Sequence, residues 1–349
     1  MIRFVQGSHY RLAFAGVLAA AALTLGGYAE AATKLKVYTA FEPEQLEPYK
    51  KAFEKANPDI ELQWVRDSTG IITARLLAEK ANPQADAVWG LAASSLMILD
   101  QQDMLDPYAP KGIEAIKPKF KSDKTPPTWV GADAWMAAVC YNTIEGKKDG
   151  LPAPVSWEDL LRPEYRGKIV MPNPASSGTG FLTVSGWMQT MGEEAAWAYM
   201  DKLNENIAAY THSGSKPCKQ AAAGEHPIGI SIEYTGASLK SKGAPIDVIL
   251  PKEGSGWDME ATAILKGAKN PDAARALADW AVTKEANELY GRFYAVVARS
   301  DVTPDIANYP AGAEAQMIAD NDFAWAAANR DRILAEWSKR YDAKSEPKK

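Results

Sequence analysis

Within its first hundred residues the chain runs three times from a strand-like stretch through a polar loop into a helical pattern. Lys34-Leu-Lys-Val-Tyr-Thr39 alternates apolar and polar residues, which predicts a strand. Phe41-Glu-Pro-Glu44 then opens a helix that tolerates Pro43 in its first turn. Leu46, Tyr49 and Phe53 form its apolar face, and Asn57-Pro58-Asp59 ends it. Ile60 to Val65 reads as a second strand. After Asp67-Ser-Thr-Gly70, Ile72, Leu76 and Leu77 fall on a helix with Ser68 or Thr69 placed as its N-cap. Ala85 to Trp89 makes a third strand, and Gly90 and Ser94-Ser95 lead into a helix through Leu99. This alternation predicts an α/β fold on a largely parallel sheet, with ligands at the carboxyl ends of the strands.

A second set begins near Gly131. Ala134 to Tyr141 reads as a buried strand, and Ser156 to Leu160 as a short capped helix. Lys168 to Met171 is strand-like. After the loop Pro172 to Gly180, the spacing of Phe181, Val184, Trp187, Met188 and Met191 predicts a helix. Further elements follow: a helix over 193–203, strands over 207–210, 228–232 and 247–250, and a helix opened by Asn270-Pro271-Asp272. A closing amphipathic helix is expected over 323–341, and the polar tail 344–349 is expected to fray.

Four loops share one chemistry. Segments 67–70, 175–180, 211–215 and 233–236 draw on Ser, Thr and Gly after a strand, the last with Thr and Gly alone. A helix N-terminus leaves N–H groups without partners and carries partial positive charge. Hydroxyls add donors, and glycine lets a ligand approach the backbone. Singly, such loops are ordinary caps and turns. Together they suit a tetrahedral oxyanion held by dipoles rather than by salt bridges. Glu233 closes an apolar run, where it is either a solvated loop acid or a partner for a cationic ligand group. Phe41, Trp89 and Trp257 either wall such a pocket or pack in the core.

The N-terminus carries Arg3 and Arg11, an apolar stretch from Leu12 to Leu25 and small residues at Ala29-Glu30-Ala31. This pattern predicts a cleaved signal peptide over 1–31 and a periplasmic location; a retained anchor is the alternative. An oxidising compartment makes a Cys140–Cys218 disulfide the natural reading of the two cysteines. A formal charge of −5 without a dense basic run argues against nucleic-acid binding. No Gly-x-Ser-x-Gly elbow, zinc constellation or complete dinucleotide fingerprint is present, so no catalytic residue, metal or cofactor is assigned.

Several stretches resemble a known family: Lys36-Val-Tyr-Thr39, Ala85-Asp-Ala-Val-Trp89, Pro163-Glu-Tyr-Arg-Gly-Lys168, Pro174-Ala-Ser-Ser-Gly-Thr-Gly180 and Gly267-Ala-Lys-Asn-Pro-Asp-Ala-Ala274. They resemble the periplasmic solute-binding proteins of ABC importers, in the type II group that contains ferric-binding proteins. Ser231-Ile-Glu-Tyr-Thr-Gly236 and Trp257-Asp-Met-Glu-Ala-Thr262 are similar to the 2-aminoethylphosphonate-binding subgroup. The resemblance implies a two-lobed α/β fold with a ligand cleft between lobes 33–130 plus 255–349 and 131–254. It implies a monomer that serves an inner-membrane permease. Pocket positions would be Thr39 to Glu42, Ser68, Thr69, Trp89-Gly90, Ser176, Ser177, Gly178, Thr179, Gly180, Ser213, Glu233 and Tyr234. The phosphonate of a small zwitterion would sit on the Ser/Thr/Gly loops. Its amine would sit on Glu233, with Tyr234, Phe41 and Trp89 shaping the pocket. Ferric ion or another organophosphorus solute is the alternative ligand, and an exported phosphoryl hydrolase the alternative class.

Overall fold

In a computed structural model of the chain, residues 31–347 are described; residues 1–30 of the expected leader lie outside them. Strand β1 (Thr33–Thr39) has β2 (Ile60–Arg66) on one side and β3 (Ala87–Ala92) on the other, both parallel to it. The helices between them cover the sheet, as alternating strand and helix patterns require. In the first helix, Pro43–Ala56, Tyr49 and Phe53 are buried, and the Gln45 side chain closes the N-terminus by accepting from Glu42 N (2.7 Å).

The expectation of a largely parallel sheet fails beyond β3. After the short β4 (Leu105–Asp106), β5 (Val130–Asn142) runs thirteen residues with every one buried. Its first half pairs antiparallel with β10 (Trp257–Leu265) and β11 (Val296–Val297). Its second half pairs antiparallel with β8 (Ile228–Ile232) and β9 (Ile246–Ile249). Parallel pairing returns where β6 (Ile169–Pro172) lies between β7 (Ile207–Thr211) and β8. Strand β5 therefore belongs to both ends of the sheet. A chain that crosses from one sheet half to the other and comes back runs alongside itself in the opposite direction, which makes β5 and β10 antiparallel.

Segment 233–236 is also not a loop. The helix Glu233–Ser241 starts directly where β8 stops, and its first five residues are buried. The tail expected to fray is held: Ser345 bridges to Tyr210, and Glu346 accepts from His212 N (2.7 Å).

Two observations account for how the site is held rigid. Trp89 sits in an aromatic cluster with Phe41, Tyr49, Trp64 and Trp280, with ring centroids between 5.3 and 5.6 Å from its own. Such edge and stacked contacts add to the burial of large apolar surfaces. Gly90 follows with φ +79°, and a Cβ there would come within 2.4 Å of the Phe41 ring, so only glycine fits. On the other side, Cys140 and Cys218 form a disulfide (Cα–Cα 5.3 Å) joining β5 to the helix Lys216–Ala223.

Candidate functional site

The cleft, with an empty volume of about 440 Å³, opens at the ends of β1, β2 and β3 and is faced by the loops after β6 and β7. Three helix starts meet there: Thr69–Ala78, Gly178–Met191 and Lys216–Ala223. Ser68, Thr69, Ser177, Gly178, Thr179 and Gly214 form the wall between them.

The donors on this wall are largely free. Ser68 occupies the N-cap position, but its hydroxyl makes no cap hydrogen bond. The N–H groups of Thr69, Gly178 and Thr179 have no protein acceptor among the described residues. Ser177 is different, because its hydroxyl caps the helix by accepting from Gly180 N (3.3 Å). Unpaired N–H groups at converging helix N-termini form a seat for an oxyanion.

The two sides of the cleft are in direct contact. Gly70 N donates to Ser176 O (2.9 Å), and a Cβ at Gly70 would stand 2.1 Å from Ala175 O. Across the same gap Ser215 Oγ donates to Glu42 Oε2 (2.9 Å), with Lys219 Nζ 3.6 Å from that oxygen.

Charged groups on the wall were mostly not read from the sequence. Arg66, the last residue of β2, donates from Nε to Phe41 O (2.9 Å) and brings Nη2 to 3.6 Å from Glu42 Oε1. Its position at the carboxyl end of a strand, next to Asp67-Ser-Thr-Gly70, was the available signal. Glu260, Trp135 and Tyr294 also line the cleft. They come from the crossing strands and the segment after residue 290; Glu260 lies in the stretch Trp257 to Thr262, whose resemblance gave it no role, and no local motif marks Trp135 or Tyr294.

The remaining anticipated residues lie elsewhere. Phe41 and Trp89 are fully buried behind the wall, and Trp89 Nε1 donates to Tyr290 OH (3.1 Å). Thr39 is buried and its hydroxyl accepts from Phe41 N (3.1 Å). Ser176 Oγ turns to His212 O (3.2 Å), and Ser213 Oγ to Ser215 Oγ (3.2 Å). Gly180 packs so tightly that a Cβ would meet Pro172 O at 2.7 Å. Tyr234 packs against Phe293 and Tyr294. Trp257 packs edge-on to Phe323.

Glu233 is fully buried and already engaged: it accepts from Tyr309 OH (2.6 Å) and Met136 N (3.0 Å). Burial pushes its carboxyl up to about 7, against the pull of those hydrogen bonds. It is not on the cleft wall, because the helix begins at residue 233 and turns the side chain inward under β5. The carboxylates that do face the cleft are Glu42 and Glu260.

A mixed sheet crossed by paired strands, with a closed polar cleft at the crossing, defines a two-lobed solute-binding protein that takes its ligand between the lobes. The chain belongs to the bacterial extracellular solute-binding protein family, whose pattern matches residues 91–326. An uncharacterized protein of Haemophilus influenzae is 32% identical over 281 residues, covering 80% of this chain and 81% of the relative. A probable ABC transporter periplasmic-binding protein of Sinorhizobium fredii, y4fP, is 25% identical over 282 residues, 76% of this chain and 74% of its own. Among solved structures, the periplasmic binding protein AfuA of Actinobacillus pleuropneumoniae, with fructose-6-phosphate bound, superposes with a TM-score of 0.82. It shows 29% identity over 89% of this chain and 99% of its own. A Salmonella typhi protein named for 2-aminoethylphosphonate binding is more distant, 24% identical over 76% of this chain and 77% of its own. The chain is thus a bacterial extracellular solute-binding protein, of the family that supplies periplasmic solute-binding components to ABC transporters. No helix among the described residues is long and apolar enough to cross a membrane.

Proposed function

We propose that the solute is a small organophosphorus zwitterion of the 2-aminoethylphosphonate type. Its phosphonate sits on Ser68, Thr69, Ser177, Gly178 and Thr179, and its amine faces Glu260 and Glu42. We take the lobes as 33–130 plus 255–349 and 131–254. The observation that carries this reading is the set of unpaired N–H groups on Thr69, Gly178 and Thr179, opposite two carboxylates in one cleft. Neutral dipoles hold a tetrahedral anion, Arg66 adds one positive charge beside them, and the carboxylates attract a cationic tail. Solute enclosure then follows from closure of the two sides through Gly70 and Ser215.

A phosphorylated sugar is the second reading. Fructose-6-phosphate in AfuA supports it, and carboxylates also accept from sugar hydroxyls. Ferric ion has less support, since no group of three His, Cys, Asp or Glu among the described residues is placed to hold a metal.

Calorimetry on the purified protein separates these readings. We expect one-to-one heat with 2-aminoethylphosphonate and weaker heat with ethylphosphonate. Stronger binding of fructose-6-phosphate would move the assignment to sugar phosphates, and heat with ferric ion alone would overturn it.

A further inference from the structure

Two acidic side chains meet where the crossing strands pair, Glu260 on the cleft wall and Asp133 buried behind it. Asp133 on β5 lies directly opposite Glu260 on β10, so both side chains leave the same face of the sheet. The pairing shifts register immediately after Glu260, an irregularity of the kind that re-aims side chains. Asp133 has no exposed surface, and neither of its oxygens receives a hydrogen bond among the described residues. As its cross-strand partner, Glu260 sets a second carboxyl beside it. Glu260 itself has one donor, Gln45 Nε2 at 3.4 Å, and its free side faces the cleft.

The surroundings do not neutralise the pair. From the loop and helix before β2 come Glu42, Gln45 and Tyr49, and from the helix after β8 comes Glu233. Tyr290, Tyr294 and Tyr309 approach from the C-terminal segments, and all three are neutral phenols with deprotonation made harder by burial. Arg66, the cation on the wall, is engaged by Phe41 O and Glu42. Two adjacent carboxyls without a cation cannot both ionise in a dry site. Burial raises both; Glu260 has a donor and faces the cleft while Asp133 has neither, so the proton of the pair belongs on Asp133.

We propose that Asp133 and Glu260 form a proton-sharing carboxyl pair that reads the cationic tail of the solute, exchanging its proton for that tail. When an ammonium group seats against Glu260, the Asp133 O–H bond breaks. Its electron pair stays on the carboxylate, the proton leaves to solvent, and the ammonium takes over its compensating role. No electrons change hands. A solute with a hydroxyl tail leaves the proton in place, so the pair distinguishes amine-tailed from hydroxyl-tailed solutes by proton release. This deepens the proposed function and rests on its assignment of the cleft to a phosphonate.

The test is calorimetry at neutral pH in buffers of different ionisation enthalpy, using 2-aminoethylphosphonate and ethylphosphonate. An ammonium lowers the second ionisation of its own phosphonate, so the two solutes do not carry the same protons at neutral pH, and the comparison is made between wild type and D133N for each solute. We expect wild type to release about one proton more than D133N with 2-aminoethylphosphonate, and as many as D133N with ethylphosphonate. In parallel, the infrared C=O band of protonated carboxyls in the wild-type protein should lose the component that D133N lacks when 2-aminoethylphosphonate is added, and keep it with ethylphosphonate. Equal proton release by wild type and D133N with 2-aminoethylphosphonate, or an unchanged carboxyl band, would overturn the exchange even though both solutes bind. No heat from either would overturn the phosphonate assignment, and the exchange with it.

Discussion

Gly70 occupies the point where the two cleft walls touch. Its N–H bonds Ser176 O, and a Cβ would lie 2.1 Å from the Ala175 carbonyl. In Gly70→Ala the walls are held apart while each keeps its own packing. We expect solute affinity to fall at least about tenfold, or about 1.4 kcal/mol, with little change in melting temperature; equal affinity in calorimetry would show that this contact is not part of closure. Glu233 makes a different residue-scale prediction. Its folded pKa of about 7 lies above the ordinary value of 4.5, so its share of stability is fully present below the unfolded value. That share is lost as pH rises through about 7, and amounts to on the order of 3 kcal/mol. Glu233→Gln should flatten the decline of denaturant stability between acidic and neutral pH. It should also cost stability at low pH, where the amide cannot accept from both Tyr309 and Met136. An unchanged pH slope would remove Glu233 from this account.

Strand β5 is the element on which both sheet halves depend, and its disulfide to the helix Lys216–Ala223 fastens one of the three helix starts on the cleft. The bridge closes a loop with a sequence separation of 78 residues. Constraining the unfolded chain to that extent is worth about 2–4 kcal/mol. Replacing Cys140 and Cys218 together by alanine should lower the unfolding free energy extrapolated from urea melts by that amount, with a lower midpoint, and reductant should then have no further effect on the variant. A reductant-insensitive wild type with an unchanged midpoint would contradict the estimate. The helix at 233–241 explains why Glu233 was read as a ligand group. The segment Glu-Tyr-Thr-Gly has the composition of a turn, but it forms the buried first turn of the helix Glu233–Ser241 between β8 and β9.

Across the whole molecule the buried carboxyls concentrate near the strand crossing. Asp258 is pushed up to about 6 by burial and Glu233 to about 7, and burial also holds Asp133 and Glu260 well above the ordinary carboxyl range. Exposed acids such as Asp149 beside Lys168 and Glu193 beside Arg332 are shifted down. Raised groups lose their share as pH climbs from their unfolded to their folded values, and lowered ones as pH falls from their unfolded to their folded values. Thermal stability should therefore peak near the unfolded carboxyl range, between about pH 4 and 5, in melts taken across the range. A maximum above neutrality would contradict the account. Trp135 lines the cleft, so solute binding should change tryptophan emission, and Trp135→Phe should remove most of that change.

Alternating periodicity was enough to place β1, β2, β3, β6 and β8 and the helices that follow the first three. It also marked Ser68, Thr69, Ser177, Gly178 and Thr179, because strand ends, Ser/Thr/Gly loops and helix starts are written in consecutive residues. The sequence by itself therefore determined the α/β class and the Ser/Thr/Gly helix starts on which the proposed anion seat rests. Only the tertiary structure decided the antiparallel crossing, the inward turn of Glu233, and the meeting of Asp133 with Glu260 across 127 positions of chain. Those depend on which strands become neighbours, a choice set by burial and register over long separations, which no local pattern records.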